Sequence, residues 1–145
     1  WVPVLAVPEN VSLFDGDGVY NVAFASGFDQ KDLLAFDKMM QLLQPFKIKM
    51  FLTHIQPHKE KKFNKEQLQG ITDYFTNHYP GLDFEFLSIK DDNLLTELQA
   101  VIEEKNIGLL SLNSRKRSLF THLFNPSVAH KMIFHTDTPM LVFHS

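Results

Sequence analysis

Cysteine is absent from the chain, which excludes disulfides and thiolate metal sites and fits a reducing compartment, with the cytoplasm as the default. A long apolar run is missing too. The opening segment Trp-Val-Pro-Val-Leu-Ala-Val-Pro-Glu, residues 1 to 9, is far too short to span a bilayer and lacks the basic start of a secretory signal, so no membrane partner is expected. Strong net charge is the third absence. With 14 Lys and Arg against 17 Asp and Glu, a formal balance of -3, the chain has no global attraction to nucleic acid or to an anionic surface. Any electrostatic site must therefore be local, at residues 59 to 62 or 115 to 117. The second run carries no interleaved aromatics and reads as a solvated loop, so no nucleic acid partner is expected either. The chain also lacks an initiating Met. Opening at Trp1, it is expected to be a piece of something longer.

What is present suits one globular domain. At 145 residues, 44% hydrophobic and 21% charged, the chain is long enough for one real core and too short for two full domains. After the turn signal Asp15-Gly16-Asp17-Gly18, residues 19 to 25 form an apolar run bounded by Ser26-Gly27, as a buried strand would be. Residues 29 to 44 place Leu33, Phe36, Met40 and Leu43 on one helical face, and Pro45 closes the helix. Residues 48 to 55 are again strand-like. Asn64 can cap a helix with Gln67 three residues on, Leu68, Ile71 and Phe75 share its face, and Pro80-Gly81 breaks it.

Residues 82 to 89 have a strand's alternation in their first half. Asp91-Asp92 then opens a helix carrying Leu94, Leu95, Leu98, Val101 and Ile102, favourable against the helix dipole, with Asn106 as a left-handed stop. A fourth strand is predicted over 107 to 112, a polar loop over 113 to 118, a short helix over 126 to 135 and a last strand over 139 to 143. Strands alternating with helices, several of them continuously apolar, predict an α/β fold: a doubly wound parallel sheet covered by helices on both faces. In such a sheet a ligand sits beyond the carboxyl ends of the strands, where the strand order reverses. The loops after the first and fourth strands are therefore the ones that matter.

One short repeat stands out. Val2-Pro3-Val4-Leu5-Ala6-Val7 echoes Thr138-Pro139-Met140-Leu141-Val142-Phe143, an apolar strand entered through a proline, at nearly a whole domain's separation. Among 14 phenylalanines, most fit the layers between sheet and helices. Phe143 and Met140, on the last strand, are expected to be partly exposed in an isolated domain and covered when two domains or chains pair.

Metal and hydrolase chemistry find little support. His54 and His58 are four apart, but Pro57 and the preceding strand prevent them from sharing a helical face, and His130 and His135, five apart, align no better. No metal site is expected. A hydrolytic set of Ser127, His122 or His130, and Asp137 lacks the flanking glycines of a nucleophile elbow, and no catalytic residue is assigned.

The pattern Pro126-Ser127-Val128-Ala129-His130-Lys131-Met132-Ile133, continued through His135 to Pro139-Met140-Leu141-Val142, resembles the helix and closing strand of the universal stress protein family. Ala25-Ser26-Gly27-Phe28 and Thr53-His54-Ile55 match the ends of its first two strands in kind. The resemblance covers residues 18 to 145. It implies a five-stranded parallel sheet in the order 3-2-1-4-5, and association through antiparallel last strands, as a homodimer or with a preceding tandem domain. On that basis residues 1 to 10 are expected to be a strand and linker left from a preceding similar domain, and residues 11 to 145 the family-like domain. The extra strand is expected to pair antiparallel with the last one. The interface would comprise Val4, Ala6, Met140, Leu141, Val142 and Phe143, with a regulatory protein of unknown identity as a further partner.

The same resemblance bears on ligands. Nucleotide-binding members carry an Asp at the end of the first strand and a glycine-rich loop. Here Gly27 stands at the Asp position, Asn113, Lys116 and Pro126 stand at the glycines, and only Ser127 is kept. Glycines let phosphate approach backbone amides without meeting a Cβ. Lys116 and Asn113 both obstruct that approach, although Asn113 tolerates a left-handed turn while the Lys side chain must swing aside. Pro126 suits the first position of a helix capped by Asn125, yet removes one donor. A degenerate nucleotide or anion site is thus expected from Ser26, Gly27, Asn113, Lys116, Ser127 and Val128. The expected function is a non-catalytic stress-response domain acting by association, with lost or weak nucleotide binding and no required cofactor. The alternatives are an ATP or AMP sensor and a weak phosphohydrolase.

Overall fold

The computed structural model describes residues 3–9, 11, 13, 18–56, 65–90, 92, 94–114 and 138–144. Along the chain the elements are β1 (Val4–Ala6), β2 (Tyr20–Ser26), α1 (Gln30–Leu43), β3 (Ile48–Gln56), α2 (Lys65–His78), β4 (Asp83–Lys90), α3 (Leu94–Lys105), β5 (Leu109–Ser114) and β6 (Met140–His144). The helix expected over 126 to 135, the cap at Asn64, the basic runs at 59 to 62 and 115 to 117, and His58, His122, His130, His135 and Asp137 lie outside the described residues.

The strands form one sheet in the order β1-β6-β5-β2-β3-β4. Neighbours from β6 to β4 are parallel, and β1 alone runs antiparallel, with Val4 opposite Val142, Leu5 opposite Leu141 and Ala6 opposite Met140. With β1 set aside and the rest counted from β2, the order is the expected 3-2-1-4-5. The sheet reverses between β2 and β5: from β2 the chain steps to β3 and β4 on one side, then returns to β5 and β6 on the other.

Side-chain alternation along the strands feeds two cores. On one face Val22, Phe24, Met50, Leu52 and Leu109 meet Ala35, Phe36, Met39 and Leu43 of α1 and Phe75 of α2. On the other, Ala23, Ala25, Phe51, Leu110 and Leu112 meet Leu94, Leu98, Val101 and Ile102 of α3. Burying each of the larger side chains stabilises the fold by about 1.5–3 kcal/mol. Phe36 is the hub of the first core. Its ring stands edge-on to Phe24 at 5.2 Å, Phe75 at 4.9 Å and Tyr79 at 5.1 Å, the arrangement that ring quadrupoles favour.

Helix ends are closed by local chemistry. Asp29 caps α1 by accepting from the Asp32 amide at 3.1 Å, while its own amide donates to Asp32 Oδ2 at 3.2 Å, a capping box built from two aspartates. At the far end of α3, Asn106 takes φ 52° as expected of a left-handed stop. Asn21 Nδ2 donates to the carbonyl of Lys105 at 2.8 Å, satisfying one of the oxygens a helix end leaves over. Of the face predicted for α2, Phe75 is buried, Ile71 is half-buried and Leu68 is exposed. α2 lies beside the edge strand β4, and its outer turns have less sheet beneath them.

The last strand departs from expectation. Met140 and Phe143 are 4% and 0% exposed within the single chain, and Leu141 and Val142 are buried beside them. Met140 faces the α3 core, while Leu141 and Phe143 join the α1 core. β6 is not an edge, because β1 covers it, and the exposed apolar side chains at that side are Val4, Leu5 and Val7 of the β1 segment, at 43–48%. No helix among the described residues is long and apolar enough to cross a membrane.

Candidate functional site

The reversal of strand order places the carboxyl ends of β2 and β5 side by side, with Ala25 level with Leu112. Ser26 and Gly27 leave β2 at this point, Asn113 ends β5 beside them, and the first turn of α1 rises above. Ser26 is buried, and its Oγ accepts from the Phe28 amide at 3.2 Å, so the hydroxyl is committed to the turn. Gly27 is exposed.

Asn113 is an extended strand residue, 5% exposed. Left-handed backbone among the non-glycine described residues occurs at Phe28 and Asn106, so the left-handed turn anticipated at Asn113 is not formed. The reason is its pairing: β5 continues through Ser114 alongside Phe143 and His144 of β6, which holds Asn113 in the ladder. Its side chain points to α1 and donates from Nδ2 to Asp32 Oδ1 at 2.5 Å.

Asp32 was not singled out by its sequence, and it organises the crevice. Only 2% exposed, it stands between the β5 terminus and the loop after β2. Burial pushes its carboxyl pKa up from the usual 3.8; the Asn113 side chain and the backbone amides of Gly27 and Phe28 pull in the opposite direction without overcoming it. A Cβ on Gly27 would lie 3.5 Å from Asp32 Oδ2, an ordinary van der Waals contact, so this carboxylate is the glycine's immediate neighbour. The one signal for it was the Asp29-x-x-Asp32 spacing of a capping box.

Phe28 was missed too. Its backbone sits at φ 59°, an uncommon position for an aromatic residue that its surroundings must enforce. The ring contacts Phe24 at 6.0 Å, Phe75 at 6.0 Å, Phe86 at 5.9 Å and His54 at 6.3 Å. As the residue before the Asp29 cap it holds the hydrophobic-staple position. His54, at the end of β3, is 4% exposed and stacks on Phe86 at 6.5 Å. Phe28, just beyond β2, and His54, near the end of β3, thus pack together on Phe86 of β4.

Of the six residues expected to form a nucleotide or anion site, Ser26, Gly27 and Asn113 converge here, and Lys116, Ser127 and Val128 lie outside the described residues. Among the described residues no group of three or more His, Asp or Glu side chains gathers as metal ligands.

No protein-family model matches the chain, and no curated protein does. Solved structures do. A universal stress protein from Archaeoglobus fulgidus DSM 4304 superposes with a TM-score of 0.70 at 17% identity, over 99% of this chain and 50% of that one. A universal stress protein family member from Burkholderia pseudomallei gives a TM-score of 0.56 at 13% identity, over 85% of this chain and 94% of that one. A family member from Arabidopsis thaliana, solved with AMP bound, gives 0.52 at 15% identity, over 86% and 91%. The chain therefore has the fold of the universal stress proteins, and spans half the length of the Archaeoglobus protein.

Proposed function

We propose that this chain is a cytoplasmic universal stress protein domain that acts in a stress response by association, without catalysis, and with nucleotide binding lost or weakened. The observation that carries the reading is the 2.5 Å bond between Asp32 and Asn113. Polar groups that would face a ligand at the strand reversal are instead bonded to each other, and a buried carboxylate lies next to Gly27. A polyanion brought there would meet an acidic group that is itself buried, where charge repulsion is stronger than in bulk water.

Association is supported by β1. A short antiparallel strand lies along β6, and its exposed apolar side chains sit at the sheet's edge, where backbone groups offer pairing to another chain. A preceding tandem domain, a second copy or a regulatory protein would each meet the domain there.

The test is thermal. Titration with ATP and magnesium, and separately with AMP, is expected to leave the melting temperature unchanged to millimolar concentration. A ligand at one hundred times its dissociation constant adds about 2.7 kcal/mol of stability, and a shift of that size would overturn the reading. A second reading, an ATP or AMP sensor, is favoured by the AMP-bound Arabidopsis neighbour of like fold; the same titration decides between them.

A further inference from the structure

At the amino ends of the strands, opposite the crevice just described, an open groove of about 780 Å3 lies where α1 and α2 both finish. This is the size range of small-molecule sites. Met40, Phe46, Ile48, Tyr79 and Leu82 supply its apolar lining. Phe46 is 40% exposed, leaving part of an aromatic side chain to solvent. Tyr79 is pinned by its ring contacts to Phe36 at 5.1 Å and Phe75 at 6.2 Å, so that wall is preformed.

The electrostatics favour one sign of ligand. Asp37 lines the groove and is half-buried; burial pushes its carboxyl pKa up, and His78 pulls it back. Two helices end at the groove, each bringing about half a negative charge in its terminal carbonyls. α1 has no basic residue in its last turn to offset this, and α2 has His78. The His78 ring is held in place: it stacks on Tyr74 at 3.9 Å, and Nδ1 donates to the Tyr74 carbonyl at 2.9 Å. Lys47 is the opposing fixed charge in the lining, and it is exposed.

We propose that this groove is a binding site for a small organic cation, an ammonium group attached to an apolar body. The ammonium would sit by Asp37 and the helix C-termini, and the body would lie on Tyr79 and Phe46, whose ring faces attract cations as well as apolar groups. This site is separate from the strand-reversal crevice and does not depend on the function proposed above.

Three probes with one body and different charge test it: 2-phenylethylamine, 2-phenylethanol and phenylacetate, titrated into the 15N-labelled protein while its amide resonances are followed. The amine is expected to shift Lys47, Tyr79 and Gly81, with affinity about tenfold or more above that of the alcohol or the acid. Asp37→Asn should remove that preference, and Phe46→Ala, at an exposed position that leaves the core intact, should weaken all binding. If Asp37→Asn fails to fold, the probe series and Phe46→Ala decide alone. Equal affinity for the three probes, shifts mapping elsewhere, an Asp37→Asn protein that keeps its preference, or no shift with any probe would each overturn the proposal.

Discussion

Asp32 on the first turn of α1 and Asn113 at the end of β5 meet 2.5 Å apart, across the point where the order of the sheet reverses. The bond ties two elements 81 residues apart in sequence and sets the character of the crevice between them. Removing the carboxylate tests its worth. Asp32→Ala takes away the acceptor of that bond together with half of the capping box, and is expected to cost about 1–3 kcal/mol in urea unfolding. Asp32→Asn keeps one carbonyl for Asn113 and is expected to cost less. Equal costs would mean that the bond to Asn113 contributes nothing.

The same carboxyl gives the stability a pH dependence. Its folded pKa lies above the unfolded value of 3.8 because burial disfavours the charged form. The folded state therefore binds the proton more tightly, and the stabilisation is fully present below the unfolded value and lost as pH rises through the folded one. Asp37 is shifted in the same direction, so the informative quantity is the difference between wild type and Asp32→Asn. That difference should fall with rising pH across the acid range and then level off. A rising difference would show that the hydrogen bonds outweigh burial.

Charge on the two outermost strands should separate edge from core. Leu5 is 48% exposed and Leu141 is 6% exposed, although they face each other in the ladder. Leu5→Lys is expected to leave the fold intact and to abolish self-association through this edge in sedimentation velocity. Leu141→Glu places an unpaired charge in the core and is expected to cost about 3 kcal/mol or more. If Leu5→Lys leaves a dimer unchanged, the contact lies elsewhere.

Two glycines should respond in opposite directions to alanine. Gly81 has φ 84°, and forcing an L side chain into that region costs about 1–2 kcal/mol. Gly70 lies inside α2 with nothing within 4 Å of an added Cβ, so Gly70→Ala should stabilise by about 0.5–1 kcal/mol through lower backbone entropy in the unfolded chain. Melting temperatures of the two variants check both signs.

The architecture was legible because its signals are local. Asn106, the Pro80-Gly81 break and the apolar runs of β2, β3 and β5 mark boundaries within a residue or two, and the echo between residues 2–7 and 138–143 foretold the antiparallel pair. The crevice was less legible because its chemistry is not local. Asp32 reads as an ordinary first-turn acid until the sheet brings Asn113 to it, and Phe28 reads as a loop residue until Phe24, Phe75 and Phe86 converge on it. Burial of Met140 and Phe143 was less legible for a related reason: their side chains face the α3 and α1 cores on the two sides of the sheet, and that burial does not depend on what pairs with the strand's backbone edge.

The pairing of Val4 with Val142 has a mechanical side. Because β1 runs against β6, these two positions near opposite ends of the described chain lie next to each other, and tension drawing them apart would peel the short ladder open one rung at a time instead of shearing all its bonds together. Load applied through the two ends would therefore release β1 at low force while the parallel strands stay folded, baring the side of β6 that β1 had sheltered.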